Sequence, residues 1–116
     1  RRTLVVDDNA VNRKLAVALL KRRGWVTEEA ENGAVAMQKL ASGEFDTVLL
    51  DISMPVMDGE ETCRRIRANP ATAALRVVAY TAHALESERA HIMAAGFDDI
   101  LIKPITAQDL LRALPD

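Results

Sequence analysis

Short apolar runs alternate with longer amphipathic stretches along the whole chain. The apolar runs predict five strands, at residues 3–6, 25–30, 47–50, 75–80 and 100–102. Apolar residues at helical spacing predict five helices, at about 10–23, 34–41, 59–68, 86–95 and 106–114. The apolar face of the first helix is predicted to carry Val11, Leu15, Ala18 and Leu19. The pattern therefore predicts five strand–helix units in succession.

The first, third and fourth predicted strands are continuously apolar rather than alternating. This pattern is typical of parallel strands that helices cover on both faces. The second strand contains Glu28 and Glu29, which favours a half-exposed position near an edge of the sheet. We therefore predict an α/β class fold in which a parallel sheet is doubly wound by helices.

Composition narrows the function classes. The 116 residues with a net charge of −2 predict one soluble domain spanning residues 1–116, without the basic excess of a nucleic-acid-binding protein. No apolar run approaches the ~20 residues of a membrane span. The single cysteine, Cys63, fits a cytoplasmic location. Because the chain opens at Arg1 without Met, we expect it to be a piece of a longer polypeptide.

Polar residues follow four of the five predicted strands. Asp7 and Asp8 follow the first strand, Asp51 the third, Thr81 the fourth and Lys103 the fifth. Each has an ordinary alternative, since such residues also cap helices, open turns or remain solvated. However, the carboxyl ends of parallel strands share one edge, where ligands bind. The joint placement therefore favours a functional site.

Three clustered carboxylates need a counter-charge. Two unit charges about 4 Å apart repel by roughly 4 kcal/mol at an effective dielectric constant near 20. A divalent cation with oxygen ligands relieves this repulsion, and Mg²⁺ suits a few carboxylates combined with water and phosphate oxygens. A charged carboxylate nucleophile beside a metal, a hydroxyl and an ammonium group is suited to phosphoryl transfer. No glycine-rich phosphate loop is present, so we do not expect the chain itself to bind ATP.

Four segments carry a family resemblance. "LVVDDN", "VLLDISMPVMDG", "AYTAHA" and "ILIKP" resemble, in order and spacing, the signature segments of response-regulator receiver domains in two-component signalling. "DDNAVNRKLAVALL", "TAHAL" and "AGFDDILIKPI" are most similar to receivers of hybrid sensor histidine kinases. The resemblance implies a flavodoxin-like fold, a three-layer sandwich of five helices around a five-stranded parallel sheet of order 2-1-3-4-5.

The same resemblance assigns the centre of the site. Asp51 would accept a phosphoryl group from a phosphohistidine on a histidine kinase or a histidine phosphotransfer domain. Mg²⁺ (or Mn²⁺) would be held by Asp8, by Asp51, by the backbone carbonyl of Ser53 and, mainly through water, by Asp7. The receiver would thereby catalyse its own phosphorylation and slow dephosphorylation.

The resemblance also implies a conformational switch. Thr81, Ala82 and Lys103 would bind the phosphoryl group, and Thr81 would move toward it. An aromatic residue that usually moves with the threonine is replaced here by Ile100, an aliphatic side chain that can still repack. The surface formed by the fourth helix, fifth strand and fifth helix would contact an effector domain, a partner protein or a second copy of the chain.

Several nearby residues have other expected roles. The positions of Ser53 and His83, two residues after Asp51 and Thr81, imply that they tune the phosphoryl lifetime. Tyr80 and Phe97 are predicted to pack in the core. Asp58 is expected to cap the third helix, and the spacing of Thr106 and Asp109 predicts a capping box at the last one.

Two alternative functions remain open on the sequence. One is a receiver that binds proteins independently of phosphorylation, which the aliphatic Ile100 leaves open. The other is a phosphohydrolase of the haloacid dehalogenase type. Those enzymes usually have a second Asp two residues after the nucleophile, where this chain has Ser53. They also carry a cap domain, which we do not expect within these 116 residues.

Overall fold

Strands and helices alternate along the chain in the computed structural model, which describes residues 2–52, 58–82, 85–103 and 105–114. The strands are β1 (Arg2–Val6), β2 (Val26–Ala30), β3 (Thr47–Asp51), β4 (Arg76–Thr81) and β5 (Asp99–Ile102). The helices are α1 (Ala10–Arg22), α2 (Gly33–Leu40), α3 (Gly59–Ala68), α4 (Glu86–Ala94) and α5 (Ala107–Ala113). All five predicted strand–helix units are present, with boundaries that differ by at most one residue.

The five strands form one parallel sheet in the order β2-β1-β3-β4-β5. Its register places Val6 opposite Ala30 and Leu50, and Asp51 opposite Tyr80. The strands therefore end at one edge, as the sequence predicted. β2 lies at the side of the sheet and is only partly buried, which explains the two glutamates in its sequence.

Helices cover both faces of the sheet. One core cluster joins α1 and α5 to side chains from β1, β3, β4 and β5. The other joins α2, α3 and α4 to the opposite face of the sheet. This arrangement confirms the predicted doubly wound, three-layer sandwich. No helix within the described ranges has both the length and the apolar character needed to cross a membrane.

The predicted apolar face of α1 was wrong for three of its four residues, because only Leu19 packs against the core and Ala18 is exposed. Val11 and Leu15 are 78% and 43% exposed, whereas Ala16, Val17 and Leu20 are buried. The partly buried position 13 lies on the same side of the helix, where an arginine obscures the apolar pattern. That arginine is tolerated there because its guanidinium donates hydrogen bonds to the Asp7 carbonyl and the Glu29 carboxylate.

Helix caps follow the local sequence closely. Asn32 is the N-cap of α2 and accepts a hydrogen bond from the Val35 amide. Asp58 caps α3 by accepting from the Glu61 amide, as predicted. The predicted capping box of α5, between Thr106 and Asp109, is also present.

Candidate functional site

The polar residues predicted from the strand ends share one cavity. Asp51 and Thr81 are the last residues of β3 and β4, Asp7 and Asp8 follow β1, and Lys103 follows β5. The cavity has a volume of about 260 Å³. Its lining consists of these five residues together with Asn9, Asn12 and Ala82. The convergence predicted at the edge of the sheet is therefore confirmed.

A buried ion-pair network forms the floor of the cavity. The Lys103 ammonium lies 3.2 Å from Asp51 Oδ1 and 3.5 Å from Asp7 Oδ2. Asp7 is fully buried and Asp51 is 3% exposed, whereas Asp8 is exposed to solvent. One lysine thus contacts two buried carboxylates, and the negative charge exceeds the positive charge in this network.

The pKa of Asp51 reflects both its burial and this excess of negative charge. Burial is the main cause that raises the pKa of its carboxyl from 3.8 to about 6, and the charge of Asp7 raises it further. Lys103 acts in the opposite direction without cancelling these effects. At neutral pH, Asp51 is therefore ionised but held in an unfavourable environment, which a bound cation would relieve.

The segment that begins helix α1 orients the Asp7 carboxylate. Asp7 Oδ1 accepts a 2.8 Å hydrogen bond from the Asn9 amide, and the Asn9 side chain caps the helix by accepting from the Asn12 amide. Capping, the ordinary alternative for this segment, applies to Asn9, whereas Asp7 and Asp8 line the cavity. Asn9 therefore caps the helix with its side chain and orients the Asp7 carboxylate with its backbone amide.

A glycine allows α3 to start directly beside Asp51. The Gly59 amide donates to the Ile52 carbonyl at 2.9 Å. A Cβ atom at position 59 would lie 2.3 Å from the Asp51 carbonyl oxygen, so any other residue would displace the backbone that carries Asp51. The backbone also joins two other site residues, because the Lys103 amide donates to the Thr81 carbonyl at 2.8 Å.

The three acidic side chains are suitable ligands for a hard cation. Carboxylate oxygens of Asp7, Asp8 and Asp51 lie within 4.8 Å of one another. All the potential metal ligands in this cluster are carboxylate oxygens, and one of the carboxylates faces solvent. This arrangement suits Mg²⁺ or Mn²⁺. The residues present therefore fit the predicted metal.

Comparison with known proteins agrees with this geometry. The family model of the response regulator receiver domain matches residues 3–115. The chain belongs to this family. A curated relative, the sensor protein GacS of Pseudomonas syringae pv. syringae, is 38% identical to the receiver over 116 residues. The match covers 97% of this chain and 13% of GacS, so the receiver spans about an eighth of that relative.

Two solved structures show the same fold. Chemotaxis protein CheY4 of Vibrio cholerae superimposes with a TM-score of 0.91 at 27% identity, covering 97% of this chain and 94% of CheY4. The receiver domain of the sensor histidine kinase PA1611 from Pseudomonas aeruginosa PAO1 has a TM-score of 0.83 at 33% identity, covering 97% and 92%. The PA1611 structure has a magnesium ion coordinated in the active-site cleft.

Three further predicted positions have a different standing from the residues that line the cavity. Ser53 and His83 lie outside the described residues. Ile100 is buried, 4% exposed, in the core cluster that also contains Ile92 and Ala95 at α4. The residue at the usual aromatic position thus packs on the side of the sheet that α4 covers.

Tyr80 belongs to the site, although the sequence indicated only core packing. Its ring is fully buried, but its hydroxyl donates a 2.6 Å hydrogen bond to Asp7 Oδ2. The Lys103 ammonium lies 4.7 Å from the centre of the ring. Burial, and then the hydrogen bond to Asp7, raise the pKa of Tyr80 well above its usual value, so the hydroxyl remains a donor. The sequence could have indicated this role, because a tyrosine hydroxyl in an apolar strand needs a polar partner.

Proposed function

We propose that the receiver accepts a phosphoryl group on Asp51, in a Mg²⁺-dependent transfer from a phosphohistidine of a histidine kinase or a histidine phosphotransfer domain. The observation that carries this proposal is the position of Asp51. Its nearly buried carboxylate lines the cavity, with the Lys103 ammonium 3.2 Å from Oδ1. A charged nucleophile beside a fixed cation is what transfer to a carboxylate requires.

The transfer forms one bond and breaks one bond. A carboxylate oxygen of Asp51 attacks phosphorus, the phosphorus–nitrogen bond of the donor breaks, and the imidazole nitrogen keeps the electron pair and takes a proton from solvent. Because the pKa of Asp51 is about 6, most molecules carry the nucleophilic carboxylate at pH 7. Burial of that carboxylate raises its free energy before the reaction, which favours nucleophilic attack.

The surrounding groups balance the charge of the phosphoryl oxygens. Lys103 provides one positive charge, while Thr81 and Ala82, which line the same cavity, are the proposed phosphoryl contacts at the end of β4. The proposed ligands of Mg²⁺ are Asp7, Asp8 and Asp51, with the Ser53 carbonyl as the further ligand expected from the family. When bound, the cation supplies Lewis-acid stabilisation of the phosphoryl oxygens.

The proposed output is a change at the surface formed by α4, β5 and α5. Phosphorylation adds negative charge beside Thr81, whose movement would draw the end of β4 inward. Ile100 packs against α4 and would repack as Thr81 moves. Partners at this surface, including an effector domain or a second copy of the receiver, are part of the proposal, as are tuning by Ser53 and His83 and a cytoplasmic location.

Small phosphodonors test the reaction without the natural kinase. The receiver is incubated with acetyl phosphate or phosphoramidate and Mg²⁺, and the intact mass is measured. We expect one added phosphoryl group in the wild type and in Asp58→Asn, and none in Asp51→Asn. Asp58 is a matched control because it is an exposed N-cap, and asparagine also caps helices.

This experiment, together with an assay of a small phosphoester, separates the alternatives. A wild-type receiver that stays unmodified with both donors would contradict the proposal and favour phosphorylation-independent binding. Many turnovers of a small phosphoester would instead favour a phosphohydrolase.

A further inference from the structure

Tyr80 is placed differently from the other buried aromatic side chains of the receiver. It lies at the carboxyl end of β4, beside Thr81, and its ring fills the core between the sheet and the helices α1 and α5. Its hydroxyl, however, reaches past the core to a carboxylate of the acidic cluster. The ring and the hydroxyl of one side chain therefore contact two charged groups of the site.

Asp7 receives two hydrogen bonds that together fix its orientation. The Asn9 amide donates to Oδ1 at 2.8 Å and the Tyr80 hydroxyl donates to Oδ2 at 2.6 Å. Because each oxygen has its own donor, rotation of the carboxylate would break both bonds. Partners that hold metal ligands in this way typically change metal affinity by 10- to 100-fold when they are removed.

Lys103 is held by the same tyrosine. Its ammonium lies 4.7 Å from the ring centre and is closer to Asp51 Oδ1 than to Asp7 Oδ2, at 3.2 Å against 3.5 Å. The electron-rich face of an aromatic ring attracts an ammonium group. The ring of Tyr80 therefore helps to hold the Lys103 ammonium beside Asp51.

We propose that Tyr80 is a positioning residue of the phosphorylation site, whose hydroxyl orients Asp7 for the divalent cation and whose ring keeps Lys103 beside Asp51. The inference rests on the proposed function, because it concerns the metal and the nucleophile of that site. It adds Tyr80, from the buried strand β4, to the residues that serve the site.

Metal binding by the unphosphorylated receiver tests the role of the hydroxyl. Mn²⁺ affinity is measured by electron paramagnetic resonance for the wild type, Tyr80→Phe and Thr72→Val. The last variant is the matched control, because it also removes a buried hydroxyl. The Thr72 hydroxyl donates to the Ile66 carbonyl at a distance of 2.7 Å and is not part of the acidic cluster. We expect about tenfold weaker Mn²⁺ binding in Tyr80→Phe and unchanged binding in Thr72→Val. Equal affinities of Tyr80→Phe and wild type would overturn the proposal.

The ring is tested separately by phosphorylation kinetics with acetyl phosphate. Tyr80→Phe should raise the half-saturating Mg²⁺ concentration about tenfold. Tyr80→Leu should in addition lower the rate at saturating Mg²⁺, because Lys103 loses the aromatic face. Identical saturating rates for the two variants would contradict the role of the ring. If the wild type binds Mn²⁺ but is never phosphorylated, the proposed function fails while the metal-binding result still tests Tyr80.

A measurement that needs no substitution at Tyr80 tests the proposal even if the variants misfold. Tyr80 is the only tyrosine in the chain, so incorporation of 3-fluorotyrosine gives a single ¹⁹F resonance. We expect this resonance to shift on Mg²⁺ titration, with the midpoint found by calorimetry. A resonance that does not respond to saturating Mg²⁺ would overturn the proposal.

Discussion

Replacement of Asp51 with asparagine is expected to stabilise the metal-free receiver at neutral pH. The variant keeps the size of the side chain and an oxygen that can accept from Lys103, but it removes the buried negative charge. Most substitutions at buried positions destabilise a protein. A gain in stability would therefore be a specific consequence of the crowded carboxylates.

The expected size of the gain follows from the pKa of Asp51. Burial and the charge of Asp7 raise this pKa to about 6 in the folded protein, against an ordinary value of 3.8. The two values differ by about two pKa units, and each unit corresponds to ~1.4 kcal/mol. Ionised Asp51 therefore lowers the free energy of unfolding by about 3 kcal/mol at pH 7.5 relative to a neutral side chain.

The same reasoning fixes the pH dependence. Because the folded pKa lies above the unfolded pKa, the stability from protonated Asp51 is fully present below about pH 4 and is lost as the pH rises through about 6. The advantage of Asp51→Asn should therefore be largest above pH 7 and should disappear below pH 4. Titratable groups that do not interact with Asp51 contribute equally in both proteins and cancel in the difference.

Urea denaturation in the presence of EDTA measures this difference. Wild type, Asp51→Asn and Asp58→Asn are compared at pH 7.5 and at pH 4, and Mg²⁺ is then added at pH 7.5. The exposed Asp58 control should stay within about 0.5 kcal/mol of wild type. Mg²⁺ should stabilise the wild type more than Asp51→Asn. If Asp51→Asn is no more stable than wild type at pH 7.5 in EDTA, the electrostatic account of the site is wrong.

Three further substitutions test how the scaffold supports the site. Gly59→Ala should destabilise the fold by about 2 kcal/mol or more in urea denaturation, because the added Cβ would meet the Asp51 carbonyl. It should also weaken Mg²⁺ binding measured by calorimetry. Wild-type stability and Mg²⁺ affinity would refute the close approach. Asp58→Ala should cost about 1 kcal/mol in the same denaturation assay through loss of the α3 cap, whereas Asp58→Asn should restore it. Arg67→Met should lower the unfolding midpoint by several degrees in calorimetry, since the guanidinium donates to three carbonyls and one carboxylate; an unchanged midpoint would show that these bonds contribute little.

The order of elements and the main site residues could be predicted because both depend on local patterns. Continuous apolar runs indicated parallel strands, and the parallel arrangement alone brought Asp7, Asp51, Thr81 and Lys103 to one edge. No knowledge of side-chain contacts was needed. The geometry of a parallel sheet converts chain order into spatial proximity.

Two features could not be predicted because they depend on contacts between distant residues. The inward side of α1 includes the partly buried Arg13, whose charge is satisfied by the Asp7 carbonyl and by Glu29 of β2. Hydrophobicity alone therefore favoured the wrong face. The partner of the Tyr80 hydroxyl lies 73 residues earlier in the chain, and only the packed sheet shows that it reaches Asp7.

The central claim is that Asp51 carries the phosphoryl group, and chemical trapping tests it most directly. Borohydride reduces an aspartyl phosphate to homoserine, which peptide sequencing by mass spectrometry can locate. After treatment with acetyl phosphate and Mg²⁺, the account predicts homoserine at position 51 and at no other acidic residue. Homoserine at position 7 or 8, or a phosphoryl group on a histidine or hydroxyl residue, would contradict it.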